Sequence, residues 1–268
     1  MKDYLPTLLK KISKYNLDGN ASVIPWASPV PVFGPVETSR VGTLGLNPSN
    51  REFVDVEGNE LSGMDRRFHT LTSLGLKNWN RTKDSHIEKI SSACERYFNV
   101  NPYNTWFQEL DVIINDIGSS YYGNNVIDAC HLDLIPYATY KKWTDLAEGE
   151  RQLLLHVSGQ AFALILRESL ISLLVLNGMS VIRHLESVAD VELEVQEMPE
   201  WTLSRRNSEG VKGFAFKGAI QRIGDVDLNR KISVIGFNHN LQSSFGVTKQ
   251  VKSSIRKWIG ETGRELLA

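Results

Sequence analysis

The most informative segment of the sequence for the fold is Val41-Gly42-Thr43-Leu44-Gly45-Leu46-Asn47-Pro48-Ser49. Its first six residues form a short, mostly apolar run, which is typical of a strand buried on both faces in a parallel sheet. Proline at position 48 has no N–H to donate to a neighbouring strand, so the strand is expected to end there. The segment therefore predicts a buried strand that passes at once into a polar loop.

Three further apolar runs, at 126–134, 170–176 and 232–237, predict the other strands of the same sheet. Helical periodicity at 106–117 and 148–169 places helices between strands. Strands joined by helical crossovers form a mainly parallel sheet with helices on both faces.

Residues 191–223 alternate apolar and polar side chains, which predicts a β-hairpin insertion. We therefore expect one α/β domain over residues 1–268, built as a three-layer αβα sandwich around a central, mainly parallel four-stranded sheet. In such sheets ligands bind beyond the carboxyl ends of the strands. The loops after Leu46, around Asp133, after Leu176 and after Phe237 are the places to look for chemistry.

The composition is that of a globular protein, with 41% hydrophobic and 23% charged residues and a net charge of -1. Because the chain as a whole is not basic, a nucleic-acid partner would need a local basic groove. Cys94 and Cys130 form no CxxC pair, which excludes zinc ribbons and iron–sulfur clusters and favours a reducing compartment. The chain shows no secretory signal and no apolar run of ~20 residues. We expect a cytoplasmic protein without metal or cofactor.

The loop after the first strand carries a family resemblance. Gly45-Leu46-Asn47-Pro48 resembles the G-x-[D/N]-P water-activating motif of the uracil-DNA glycosylase superfamily, and its asparagine is similar to the mismatch-specific and single-strand-selective branches. The resemblance implies that Asn47 orients the attacking water and that Gly45, Leu46, Pro48 and Ser49 contact the substrate. A plain strand-ending turn also fits, because Asn-Pro is common in turns.

The loop after the last strand, Phe237-Asn238-His239-Asn240-Leu241-Gln242-Ser243, is similar to the family's histidine loop, although Asn240 stands where the family has proline. The resemblance implies that His239 donates a hydrogen bond to O2 of the departing base. It also implies that Leu241 is a wedge in the DNA stack, with Gln242 and Ser243 as DNA contacts, although a buried anchor explains Leu241 nearly as well. Asn47 and His239 are therefore expected to face one pocket.

Asp133, in Leu132-Asp133-Leu134-Ile135-Pro136, aligns with the family's base-reading residue, which is often asparagine. An ionised aspartate only accepts hydrogen bonds, so it repels O4 of uracil and accepts from the exocyclic amine of cytosine. This favours a modified cytosine, such as the hydroxymethylated or glucosylated base of phage DNA, and an antiviral role. His131 and Asp128 remain alternative readers of the base.

Phe53 and Phe68 are the candidates for stacking on the base, although a core position explains either one as well. Glu52 and Asp55 are interpreted as solvated loop carboxylates that could assist the water. The basic residues expected to contact DNA phosphates are Arg66, Arg67 and Lys249.

Together these features predict a DNA glycosylase that hydrolyses the N-glycosidic bond of a flipped-out pyrimidine, either uracil or a modified cytosine, and leaves an abasic site. DNA is the expected partner, and the protein is expected to be a monomer with no membrane attachment. One alternative is an N-glycosidase acting on free nucleosides or nucleotides. Another is a non-catalytic DNA-binding module, because Asn47 cannot accept a proton as aspartate does and the His239 loop departs from the family pattern.

Overall fold

A computed structural model describes residues 4–14, 22–101, 105–123, 127–206, 208–242 and 244–268. The helices are α1 Leu5–Lys14, α2 Asp84–Glu95, α3 Tyr97–Val100, α4 Thr105–Asn115, α5 Glu148–Glu168, α6 Met179–Ala189 and α7 Lys249–Leu267. The strands are β1 Val32–Phe33, β2 Val41–Gly45, β3 Ser119–Ser120, β4 Ile127–Asp133, β5 Leu173–Asn177, β6 Glu194–Glu197, β7 Leu203–Arg205, β8 Ser208–Val211, β9 Phe214–Ile223 and β10 Val226–Phe237.

The central sheet has the strand order β1-β4-β2-β5-β10-β9-β6, with β3 paired to β4. The inner strands β4, β2, β5 and β10 are parallel to one another. Strands β1, β9 and β6 extend the sheet in antiparallel fashion. The predicted four-stranded parallel core is therefore confirmed.

Helices cover this sheet and complete the predicted α/β sandwich. Helix α1 packs against α2 and α5, whereas α4 packs against α7, and both α5 and α7 contact β10. The inner parallel strands are buried in the core because most of their side chains are apolar on both faces, as in β5, where all five residues are buried. One apolar cluster extends from Leu5 in α1 to Ile259 in α7. The prediction of a single domain over residues 1–268 stays a prediction.

The β insertion is antiparallel, as the alternating pattern at 191–223 predicts, and part of it extends the edge of the central sheet. Strands β6 and β9 join the central sheet at its β10 edge, and only β7 and β8 form a hairpin of their own. Strand β10 begins at Val226 instead of at residue 232. Its first residues include Asp227, Asn229 and Arg230, so the apolar pattern starts only where the strand enters the core.

The carboxyl ends of the four parallel strands lie at one edge of the sheet, here called the carboxyl edge. Gly45 of β2 is in register with Asp133 of β4, and Phe237 of β10 with Asn177 of β5. The loops that the sequence predicts to carry chemistry therefore leave the sheet side by side. No helix in the described ranges is both long and apolar enough to cross a membrane.

Candidate functional site

A cavity of about 440 Å³ opens at the carboxyl edge beyond β2 and β4. It brings together the predicted loop residues Gly45, Leu46, Asn47, Pro48 and Ser49 with Asp133. The other residues that line it are Phe33, Arg51, Glu52, Arg67, Thr105, Trp106, Phe107 and His131. The cavity, called the β2–β4 cavity below, thus combines an amide, two carboxyl groups and an imidazole with aromatic walls.

Asn47 is held in a single orientation by the loop that follows β4. Its Nδ2 donates to Thr139 Oγ1 at 3.1 Å and to the carbonyls of Pro48 and Tyr137 at 3.2 and 3.4 Å. Carbonyl oxygens only accept hydrogen bonds, so the amide nitrogen must face them. No hydrogen bond among the described residues engages Oδ1, which is left to accept from a water in the cavity.

Glu52 is a buried member of the cavity, with 7% of its surface exposed. It ends a short 3-10 turn, and Oε2 accepts from the Tyr97 hydroxyl at 3.0 Å and from Arg67 Nη1 at 3.2 Å. Burial raises the pKa of Glu52 above its usual range, Arg67 and Tyr97 oppose the shift, and nearby Asp133 adds to it. The interpretation of Glu52 as a solvated loop residue is therefore wrong.

Asp55 is a different case, because it serves its own loop. Its carboxylate accepts hydrogen bonds from the backbone of Glu57 and Asn59 and from the Asn59 side chain. These bonds lower the pKa of Asp55, which lies outside the cavity lining. The interpretation of Asp55 as a loop carboxylate fits this arrangement.

His131 and Asp133 lie on the same face of β4, because alternate residues of a strand point to the same side. His131 Nε2 is 3.5 Å from Asp133 Oδ1, and both side chains are almost fully buried. His131 Nδ1 lies 2.7 Å from Thr43 Oγ1, which contacts the Tyr121 hydroxyl. When Tyr121 donates to Thr43 and Thr43 donates to His131, Nε2 carries the proton. Burial raises the pKa of Asp133, and His131 opposes that shift.

Asp128, the other alternative reader, belongs to the amino-terminal half of β4, where its backbone pairs with Ser120. At about 3.3 Å per residue, its backbone lies roughly 16 Å from Asp133 at the carboxyl edge. This separation leaves His131 and Asp133 as the β4 residues in the cavity.

Gly45 is required by the close approach of these side chains. A Cβ atom at this position would lie 2.8 Å from His131 Nε2 and even closer to Asp133 Oδ1. Both atoms belong to buried groups that have little room to move. The glycine of the loop motif therefore makes space for the polar side chains of β4.

We expect Gly45→Ala to lower the free energy of unfolding by about 1–3 kcal/mol, because overpacking forces buried groups apart. The matched control is Gly159→Ala in α5, where an added Cβ meets nothing within 4 Å. This control is expected to raise stability by up to ~1 kcal/mol, because alanine favours the helix. Denaturant unfolding of both variants checks the prediction, and equal stability changes would contradict it.

Phe53 and Phe68 do not line the cavity, so the prediction that they stack on the substrate is wrong. Both are 1% exposed and belong to the apolar core. Phe68 stacks on Tyr97 with ring centroids 5.3 Å apart, and Phe53 packs edge-on against Trp26. The aromatic walls of the cavity are instead formed by Phe33, Trp106 and Phe107.

His239 is at the carboxyl edge but outside the cavity lining, so the expectation that it shares a pocket with Asn47 is wrong. It is 2% exposed, and Nε2–H donates to the carbonyl of Trp201 at 2.8 Å. Burial lowers the pKa of His239, which favours the neutral ring. A neutral imidazole that donates through Nε2 has only an acceptor left at Nδ1. It cannot donate a hydrogen bond to a departing base.

The loop around His239 is turned towards the β insertion by Asn238. The Asn238 side chain accepts from Phe214 N–H and donates to the Lys212 carbonyl, both at 2.8 Å. Leu241 is 5% exposed, and its N–H donates to Asn177 Oδ1 at 3.1 Å. It is a buried anchor, and the prediction that it forms a wedge is wrong. The exposed apolar side chain of this loop is Phe245, at 82%.

The remaining predicted DNA contacts lie in three different settings. Gln242 joins the β10 loop to the cavity wall, because it accepts from Asn177 at 2.7 Å and donates to the Trp106 carbonyl at 3.1 Å. Arg67 lines the cavity, and Arg66 is exposed beside it. Lys249 is exposed in the first turn of α7. Ser243 lies outside the described residues.

Sequence reasoning missed the aromatic walls of the cavity, and it named Glu52 as a possible helper of the water but favoured a solvated position for it. Glu52 is five residues past Asn47 in a polar loop, and its burial depends on Arg67 and Tyr97, which are distant in sequence. Trp106 lies in the first turn of α4, and its position at the start of the predicted helix was the available signal.

Comparisons with known protein families and with curated protein sequences find no match for this chain. In the described ranges, no group of three or more histidine, cysteine, aspartate or glutamate side chains is arranged to hold a metal ion. The site is therefore interpreted from its own geometry.

Proposed function

We propose that this chain is a DNA glycosylase that hydrolyses the N-glycosidic bond of a flipped-out pyrimidine and leaves an abasic site. The observation that supports the proposal most is the convergence of Asn47, Glu52, His131 and Asp133 on the β2–β4 cavity beside the Trp106 ring. A glycosylase needs a water to attack the sugar, a group to accept its proton, a group to read the base and an apolar wall.

The size of the cavity suits such a substrate. Small-molecule sites are typically ~300–1,000 Å³, and the β2–β4 cavity, at about 440 Å³, lies within that range. An extruded nucleotide carrying a substituent on its base can therefore be accommodated. Trp106, which is only partly buried, offers the ring for stacking, and Phe33 and Phe107 are buried behind it.

The reaction follows from the positions of the polar groups. As the bond between C1′ of the sugar and N1 of the base breaks, its electron pair leaves with the base and positive charge develops on the sugar. Asn47 Oδ1 orients the water that forms the new bond to C1′. Glu52 accepts the proton of that water, since the asparagine amide cannot.

The departing base carries negative charge, which a hydrogen-bond donor stabilises. In place of His239, we assign this donor role to His131 Nε2–H, which lines the cavity. Its 3.5 Å contact with Asp133 Oδ1 is too long to engage the proton, whereas the 2.8 Å bond to the Trp201 carbonyl engages that of His239. Asp133 then reads the base edge. In its ionised form Asp133 accepts from the exocyclic amine of cytosine, so a modified cytosine remains the proposed target.

Release of free base from a panel of DNA substrates tests the proposal. Oligonucleotides containing uracil, cytosine, hydroxymethylcytosine or glucosylated hydroxymethylcytosine are incubated with the protein, in parallel with the corresponding nucleosides. Free bases are measured by mass spectrometry, and abasic sites by alkaline cleavage. We expect release from DNA. Release from nucleosides alone would favour the monomer N-glycosidase, and binding without release would favour the non-catalytic module.

The exclusion of His239 from the cavity gives a separate prediction. We expect His239→Gln to change the rate of base release by less than about fivefold, whereas loss of a donor to the leaving group typically costs ~10²–10³. Glutamine retains an N–H for the Trp201 carbonyl. Single-turnover rates check this prediction. A loss of two orders of magnitude in a folded variant would return the donor role to His239.

A further inference from the structure

A second cleft, of about 510 Å³, lies beside the β2–β4 cavity and shares Arg67 with it. One wall is a face of α2 and the residue after it, with Ser85, Lys89, Ser92 and Arg96 at helical spacing. The other wall contains Arg66, Arg67 and His69. We call this feature the α2 cleft.

The α2 cleft is strongly basic, although the whole chain has a net charge of -1. Its cations are Arg66, Arg67, Lys89 and Arg96, and the acidic residue in its lining is Glu88. Arg67 is paired with Glu52 at 3.2 Å. Arg66, Lys89 and Arg96 are exposed, and none of them forms an ion pair within the described part of the chain.

His69 is a partly buried member of the α2 cleft. Burial, followed by the charges of Arg66 and Lys89, lowers the pKa of His69 to about 4. His69 is therefore neutral at neutral pH and adds no charge. The fixed cations alone make this cleft a favourable site for anions, because clefts lined by one sign of charge concentrate the electric field.

We propose that the α2 cleft binds the phosphodiester backbone of the strand that enters the β2–β4 cavity. The identification of that strand as DNA rests on the proposed glycosylase function. Arg67 joins the two spaces, so a nucleotide whose base occupies the cavity has its flanking phosphates directed towards Arg66, Lys89 and Arg96. Contacts to phosphates position a strand without reading its sequence. The α2 cleft thus provides the local basic groove that the net charge of the chain does not.

A probe that carries phosphates but no bases separates this binding from base release. The probe is a fluorescent single-stranded oligonucleotide of tetrahydrofuran abasic units. Its affinity is measured over a range of salt concentrations for the wild-type protein, for Lys89→Gln/Arg96→Gln, and for the control Arg222→Gln/Lys231→Gln. The control removes the same charge from exposed residues of β9 and β10 that lie away from the carboxyl edge.

We expect Lys89→Gln/Arg96→Gln to weaken binding by about tenfold at ~0.1 M salt, and the control to change it by less than about twofold. Each phosphate contact to a single strand contributes ~0.7 to the slope of log affinity against log salt, so the loss of two contacts should reduce the slope by about 1.4. Thermal unfolding checks that both variants fold.

Equal affinity of Lys89→Gln/Arg96→Gln and the wild type, or equal loss in both variants, would overturn the α2 cleft as the backbone site. The panel of DNA substrates gives an independent result. Cleft-dependent binding without base release from any DNA would remove the glycosylase proposal and leave the phosphate site in place. Base release from DNA, with probe binding unaltered in Lys89→Gln/Arg96→Gln, would remove the phosphate site and leave the glycosylase proposal in place.

Discussion

Glu52→Gln is expected to slow base release by about 10²–10⁴-fold, the range that a positioned general base contributes. Glutamine has nearly the same shape as glutamate, and its amide oxygen can still accept from the Tyr97 hydroxyl. It cannot take a proton from the water that Asn47 orients. The rate of the chemical step should therefore fall while the affinity for DNA changes little. Single-turnover kinetics and equilibrium binding measure the two quantities separately.

The pH dependence of the rate distinguishes a base from a structural role. Burial raises the pKa of Glu52, and only its ionised form accepts a proton. The wild-type rate should therefore rise with pH, with an apparent pKa above the usual range of glutamate. This rise should be absent from the pH–rate profile of Glu52→Gln. Stability should change in the opposite direction, because a raised folded-state pKa stabilises the protein at low pH and that contribution is lost as pH rises.

Asp55→Asn is the matched control for Glu52→Gln, because it makes the same acid-to-amide change in the same loop. The carboxylate of Asp55 bonds to its own turn, and an amide oxygen can still accept from Glu57 and Asn59. The rate of base release by Asp55→Asn, and the pH dependence of that rate, should match those of the wild type. A Glu52→Gln variant that keeps both the rate and the rising limb would contradict the role assigned to Glu52.

Asp133→Asn is expected to shift the preference between bases by about 10²-fold towards uracil. Each hydrogen bond to a base edge is worth ~1–3 kcal/mol, and the substitution weakens the bond to cytosine and allows one to uracil. An ionised aspartate accepts from the amine of cytosine and repels O4 of uracil. The amide offers a donor as well as an acceptor. The ratio of kcat/KM values on paired cytosine-type and uracil DNA substrates measures the shift.

The preference of the wild-type protein for cytosine over uracil should also depend on pH. Burial raises the pKa of Asp133, so its proton is retained to higher pH than in a solvated aspartate. The protonated carboxyl can donate to O4, and the ionised one cannot. The wild-type preference for cytosine should increase as pH rises through the pKa of Asp133, and Asp133→Asn should show no such trend. An unchanged base preference in the variant would assign base reading to another group.

The parallel core and the location of the cavity could be predicted because they depend on local patterns. The short apolar run at Val41–Gly45 is typical of a strand buried on both faces of a sheet. Parallel strands end at the same edge, so Asn47 after β2 and Asp133 at the end of β4 come together through the register of Gly45 with Asp133. Neither inference required knowledge of distant side chains.

The orientations of individual side chains could not be predicted, because distant residues determine them. His239 turns from the cavity because the Trp201 carbonyl accepts its N–H, and Trp201 belongs to the β insertion. Glu52 turns inward because Arg67 and Tyr97 bind it. Phe53 and Phe68 lie in the apolar core. An aromatic ring suits both a core and a cavity wall, and sequence alone does not distinguish the two.

The proposed reaction in the β2–β4 cavity breaks the N-glycosidic bond and leaves the DNA backbone whole. The most direct measurement is the intact mass of a single-stranded oligonucleotide with one modified cytosine after incubation with the protein. We expect a strand in which a hydroxyl has replaced the base, together with one equivalent of free base. A strand of unchanged mass, or two fragments cut at a phosphodiester, would contradict it.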